Sequence, residues 1–206
     1  MKRTLWGALA LLAVAGTLAA AEPKVLFEDR FDGKLGEGWT WLRENPANWR
    51  IKDGALEIRV EPGVAPTVKN ALLRKAPDRR QGKFAAEVTV TFTSPPTNQY
   101  EQAGITFYQD GKPGPKLVHE RIDGGIYIIP GKVPTDTQTV QLRMVMTEDQ
   151  LLFQFRPDGK GEFTTVGKAP LRATDHEQVS IQCYNGPADA EHWMRFDDFR
   201  LLQLPQ

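Results

Sequence analysis

The 206-residue sequence contains one cysteine, Cys183. An internal disulfide is therefore excluded, and no C-x-x-C metal or redox motif exists. The three histidines are His119, His176 and His192, and none has the H-E-x-x-H spacing of a zinc protease. No G-x-S-x-G nucleophile elbow occurs. Charge of one sign is lacking too, since 26 basic residues face 26 acidic ones. Such a balance excludes a nucleic-acid or anionic-membrane partner driven by bulk charge. Long apolar runs are confined to residues 5–18, too few for a bilayer core that needs roughly 20. Beyond that run no segment carries the 3.6-residue period of an amphipathic helix.

The start of the chain has the three regions of an export signal. Met1-Lys2-Arg3 is basic, residues 5–18 are apolar, and Ala19-Ala20-Ala21 supplies an A-x-A cleavage site before Glu22. The expected mature protein is exported to the periplasm or outside the cell. It forms one domain over residues 22–206, with no membrane span after cleavage. In an exported protein a lone thiol is commonly buried, and Cys183 is in phase with Val179 and Ile181 on an apolar strand face.

What the chain has in abundance is two-residue alternation. Phe84, Ala86, Val88, Val90 and Phe92 form one face of a strand, and Glu87, Thr89 and Thr91 the other. Residues 100–132 read as three strands joined by QDGKPGP and DGG turns. Ala103, Ile105 and Phe107 face one way, Gln102, Thr106 and Tyr108 the other. Leu142, Met144 and Met146 face inward with Gln141 and Arg143 outward; Ser180, Gln182 and Tyr184 oppose Val179, Ile181 and Cys183. About a dozen such segments with turns every 8–12 residues predict an all-β, two-sheet antiparallel sandwich. Residues 61–82 read as a loop with one short strand or turn at Asn70–Leu73, and Arg79-Arg80 as a solvated pair of loop charges.

The run QAGITFYQDG…KLVHERIDG, the opening FEDRFDGKLGEGWTWLRENPANW and the closing FDDFRLL resemble the concanavalin-A-like module at the C-terminus of family-43 β-xylosidases and its free-standing relatives. The resemblance implies a jelly roll linked to polysaccharide recognition. One sheet of such a fold would present a groove, and the expected ligand is a poly- or oligosaccharide. The expected lining is Gln102, Tyr108, Lys116, Glu120, Arg143, Gln182 and Tyr184, with Thr89, Thr91 and Thr106 beside them. Amides and charges would meet hydroxyls, and an aromatic face would meet C–H surfaces. An antiparallel sheet facing water is polar in any case, so the two readings stand together. Trp41 is open to two readings as well, as core packing at the sandwich edge or as a stacking face. His119, in phase with Leu117, points inward as a buried, hydrogen-bonded imidazole; the opposite register sets it beside Glu120 in the groove.

The resemblance also implies that the chain ends are neighbours. Glu28, Asp29 and Asp197 could then converge with Asp32 and Asp198 on a structural Ca²⁺, or remain solvated charges paired with Arg195 or Arg200. Glycosidic hydrolysis needs two carboxylates about 5–10 Å apart. Glu101 and Glu120 are candidates, yet alternation sends them to opposite faces. A glycoside hydrolase or polysaccharide lyase is therefore the second reading, and a cell-envelope module without sugar specificity the third.

Overall fold

The computed structural model describes residues 21–205, so residues 1–20 of the expected signal lie outside the described residues. Fifteen strands follow one another: β1 (Lys24–Asp29), β2 (Thr40–Leu42), β3 (Trp49–Lys52), β4 (Ala55–Arg59), β5 (Ala71–Lys75), β6 (Phe84–Phe92), β7 (Gln102–Gln109), β8 (Lys112–Ile122), β9 (Gly125–Ile129), β10 (Val133–Pro134), β11 (Thr139–Met146), β12 (Gln150–Pro157), β13 (Thr164–Pro170), β14 (Glu177–Tyr184) and β15 (Trp193–Gln203). They form two antiparallel sheets, and no helix among the described residues is long and apolar enough to cross a membrane. The first sheet runs β13-β12-β11-β6-β15-β4-β3, with β1 also on β15. The second runs β10-β9-β8-β7-β14-β5-β2.

The expected apolar faces meet between the sheets. Val88, Val90 and Phe92 with Leu142, Met144 and Met146 come from the first sheet. Ile105, Phe107, Leu117, Val179, Ile181 and Cys183 come from the second. Each large apolar side chain buried there contributes about 1.5–3 kcal/mol. Cys183 is buried, and burial drives its pKa well up, so it stays a thiol. Trp41 is partly buried and packs against this interior, as the packing reading has it. It lies opposite Leu72 and its ring centroid is 4.9 Å from that of Trp49.

Three hairpins close with two-residue turns: Asp53-Gly54, Asp110-Gly111 and Asp123-Gly124. All six residues have positive φ, the pairing a type I′ turn demands and Asp-Gly supplies at least cost. The β7–β8 hairpin then departs from its turn. Gln109 faces Lys112, but beyond Gly114-Pro115 the register slips by one and Thr106 faces Lys116. A Gly-Pro bulge suits a strand that must change register, since proline has no N–H to give a ladder. Carried straight from the turn, the pairing would set Gln102 opposite His119. The bulge sets it opposite Glu120 and sends His119 inward with Leu117.

His119 is fully buried and its ring centroid lies 4.5 Å from that of Phe92. The inward reading holds, but the expected hydrogen bond does not, because neither ring nitrogen has a partner. Burial lowers its pKa to about 3. The Arg79-Arg80 expectation is corrected by half. Arg80 is exposed and pairs with Asp78 and Asp175, whereas Arg79 has no exposed side-chain surface and is bound to Glu177. Local sequence could not show this, because Glu177 lies 98 residues away.

Candidate functional site

A cleft of about 740 Å³ opens over the outer face of β7 and β8. Its polar floor is Gln102, Lys116 and Glu120; Gln102 and Glu120 are cross-strand neighbours, and Lys116 lies four residues before Glu120 on the same face of β8. The Gln102 side-chain N–H donates to Glu120 Oε1 at 2.8 Å and to the Tyr100 carbonyl at 2.8 Å. The Lys116 ammonium donates to Gln102 Oε1 at 2.5 Å and lies 3.6 Å from Glu120 Oε2. The amide is thus clamped between an ammonium and a carboxylate. Burial raises the Glu120 pKa against the pull of Lys116 and Gln102, and lowers that of Lys116 against the pull of Glu120. Each charge is therefore held mainly by the other.

Tyr184 walls the cleft, with Lys116 Nζ 5.9 Å from its ring centroid. Its phenol pKa is raised, chiefly by burial and then by the Glu120 charge. Next to it on the same sheet face, the Tyr108 hydroxyl donates to Gln182 Oε1 at 2.9 Å. Burial also raises the Tyr108 pKa, partly offset by the Arg43 charge.

The sheet face was expected to be open to water, and it is not. Gln102, Thr106 and Gln182 are at most 2% exposed. Val68 and Ala65, from the segment read as a loop, pack with Ala71, Leu73, Tyr108 and Tyr184 into a second apolar cluster on that face. Arg43 ties this lid down by donating to the Val68 carbonyl at 2.6 Å. The burial leaves Thr106 Oγ1 and Gln182 Nε2 without protein partners. Buried polar atoms are nearly always satisfied by protein, water or ligand, so this face has hydrogen-bonding capacity to spare.

Six of the expected lining residues thus share one sheet face: Gln102, Tyr108, Lys116, Glu120, Gln182 and Tyr184. Arg143, Thr89 and Thr91 do not join them. Outward phase on β11 and β6 means the outer face of the other sheet. There the Arg143 guanidinium donates to Glu87, which also accepts from Arg200 at 3.1 Å, and it lies 3.6 Å from the Phe163 ring centroid. Arg143 is a structural partner of a carboxylate only 1% exposed. Arg143→Ala is expected to cost about 1–3 kcal/mol of stability, the range for leaving a buried polar group short of a partner. Urea unfolding would measure it, and glycan affinity should not change.

The chain ends do meet, with Asp29 opposite Phe199 and Glu28 opposite Arg200. Glu28 and Asp29 turn to other partners, while burial and then the nearby Asp198 and Asp32 charges raise the Asp197 pKa. Asp29 accepts from Phe31 N, Gly36 N and Trp39 Nε1, each at 2.8 Å. Glu28 faces Arg30, and Asp197 accepts from the Asp198 backbone N–H at 2.7 Å. Among the described residues no group of three His, Cys, Asp or Glu side chains is placed to hold a metal. Asp29 is thus committed to N–H groups and Glu28 to the Arg30 guanidinium.

Glu101 lies behind the cleft, not in it. It is fully buried and accepts from Thr97 N, from Asn98 N and, at 2.7 Å, from His192 Nδ1. Glu120 is the one carboxylate lining the cleft. Sequence reasoning missed Tyr100, Asn185 and the Val64-Ala65-Pro66 lip, which also line it. The position of Tyr100 at the head of the YEQAGITFYQDG run was a usable signal.

The family model of the β-xylosidase C-terminal concanavalin-A-like domain, GH43_C2, matches residues 28–200. The chain belongs to this family. The match begins within β1, ends within β15 and covers every strand between them. No curated protein matches the chain. Among solved structures, a variant of the GH43 protein BlXynB from Bacillus licheniformis is similar at a TM-score of 0.71 and 19% identity, over 85% of this chain and 39% of that one. The xylan β-1,4-xylosidase of Bacillus halodurans C-125 is similar at 0.64 and 17%, over 91% and 40%. A functionally unknown protein from Saccharomyces cerevisiae is similar at 0.55 and 17%, over 82% and 97%. These identities show a shared fold. The GH43_C2 chain described here spans about two fifths of the length of the two Bacillus proteins.

Proposed function

We propose that this GH43_C2 protein is an exported carbohydrate-binding sandwich, and that the cleft over β7 and β8 holds an oligosaccharide segment. The observation that carries the reading is the clamped Lys116–Gln102–Glu120 chain on the cleft floor. Donors and acceptors already fixed in position lose little freedom when a sugar's hydroxyls replace water. Tyr184 adds an apolar wall of the kind that ligand clefts combine with a few placed polar groups. Membership of a family named for xylosidases supports a plant-type polysaccharide as the ligand class. Export rests on the basic, apolar and A-x-A regions before Glu22.

A single cleft carboxylate favours binding over hydrolysis, since the hydrolytic mechanism places two across the bond. Titration of the mature protein with xylo-, gluco- and uronate-containing oligosaccharides, alongside an assay for new reducing ends, tests both readings. Binding without release is the expected result. Glu120→Ala should weaken it by about ten- to a hundredfold, the equivalent of one charge-assisted hydrogen bond. Release of reducing ends by the wild type would establish the hydrolase reading, and unchanged affinity in Glu120→Ala would remove the cleft from consideration.

A further inference from the structure

Among the described residues Tyr100 is one of very few large apolar side chains left exposed, at 49%, and it stands on the rim of the cleft. Its backbone has φ 65°, the left-handed region. Most non-glycine residues in that region here are Asp or Asn, whose short polar side chains tolerate it. A tyrosine there is strained, and its exposed ring returns little by burial. The conformation is nevertheless enforced on both sides. The Tyr100 N–H donates to the Arg121 carbonyl at 2.8 Å, and its own carbonyl accepts from Gln102 Nε2 at 2.8 Å. The same Gln102 N–H group bonds Glu120, so the rim tyrosine is coupled directly to the polar floor. Among the other cleft-lining residues is Val64, itself 54% exposed.

We infer that Tyr100 is the stacking platform of the cleft, held in a strained conformation so that its ring meets the C–H face of a pyranose whose hydroxyls reach Gln102, Lys116 and Glu120. This inference rests on the carbohydrate-binding reading of the same cleft. Tyrosine suits the task because it offers a broad rigid face with two side-chain torsions to fix and a polar edge that tolerates water.

Tyr100→Asn separates platform from scaffold, because asparagine relieves the left-handed strain and removes the ring. The expected melting temperature is unchanged or raised by up to roughly 4 °C, while affinity for xylohexaose or cellohexaose, whichever the wild type binds, falls at least about tenfold. Tyr100→Phe and Tyr100→Trp keep a ring and should retain most of the affinity. A clear fall in melting temperature for Tyr100→Asn would show a structural role and overturn the inference. So would wild-type affinity in Tyr100→Asn, and if Glu120→Ala weakened binding in the same titration, the carbohydrate reading would survive alone. Absence of binding by the wild type to either hexasaccharide, with Tyr100→Asn as stable as wild type, would overturn the platform role and count against the carbohydrate reading, whereas the uronate-containing series would decide that reading separately.

Discussion

Arg79→Ala is expected to lower the stability of the protein by about 3–5 kcal/mol, the range for removing one partner of a buried ion pair. In a domain of this size that is a fall in melting temperature of roughly 10 °C or more. Arg79 is the largest fully buried side chain in the fold. Its Nε and Nη2 donate to the two oxygens of Glu177 at 2.8 and 2.6 Å. Its Nη1 donates to the carbonyls of Thr147 and Leu171, so one guanidinium joins the loop before β6, the β11–β12 turn, the segment after β13 and β14. Glu177 also accepts from Gln109 Nε2 at 2.9 Å and Thr174 N at 3.0 Å. Burial alone would raise the Glu177 pKa, but these hydrogen bonds outweigh it and the net shift is downward. The pair's stabilisation is thus present above the ordinary carboxylate pKa and is lost as pH falls through the lowered one. Truncating Arg79 leaves Glu177 buried without its cation, which is why the loss is large. Arg79→Met combined with Glu177→Leu should recover much of it, since an apolar pair needs no desolvation of charge. Thermal melts of the single and double variants would decide. Equal losses in Arg79→Ala and the double variant would show that the hydrogen bonds to the carbonyls, not the charge pairing, hold the region.

His119→Leu is expected to act in the opposite direction. The imidazole is buried against Phe92 with two unpartnered nitrogens, and burying an unsatisfied polar group costs about 1–3 kcal/mol in proteins. Leucine is close in volume and makes no such demand, so the variant should gain about that much at neutral pH. The pH dependence carries a second signature. The folded pKa is about 3 and the unfolded value about 6.5, so between them the unfolded chain binds more protons. Stability therefore falls as pH drops through this window, by about 2 kcal/mol from neutrality to about pH 5. Glu120 works the other way, because its raised pKa makes the folded state the better proton binder. The difference between wild type and His119→Leu isolates the histidine. Denaturant midpoints measured at pH 7 and pH 5 should diverge, with the variant losing less. Parallel midpoints across that range would mean that His119 finds a partner in the folded protein.

Strand alternation and turn chemistry were legible in the chain because they are local. Val88 and Val90, Leu142 and Met144, and Val179, Ile181 and Cys183 were bound to face inward wherever their strands paired, and the Asp-Gly steps at 53–54, 110–111 and 123–124 marked tight hairpin turns. The family was legible too, from the run around residues 102–123 and from the two ends. Three things were not. Which sheet a strand joins is a matter of long-range pairing, so Arg143 shared its outward phase with Gln102 and yet emerged on the opposite surface beside Glu87. Whether an outward face is wet depends on what folds over it, and Val68 comes from a segment whose composition reads only as loop. The register of β8 had two local determinants in conflict, a two-residue turn and a Gly-Pro bulge. Alternation with Leu117 favoured an inward His119, but only the assembled β7–β8 ladder put Lys116 and Glu120 together on the cleft floor. The sequence by itself determined which side chains could be buried and where the chain could turn, because sterics and hydration act over a few residues. The tertiary structure alone decided which polar groups meet, because cross-strand hydrogen bonds and buried ion pairs such as Arg79–Glu177 join residues that the chain keeps far apart.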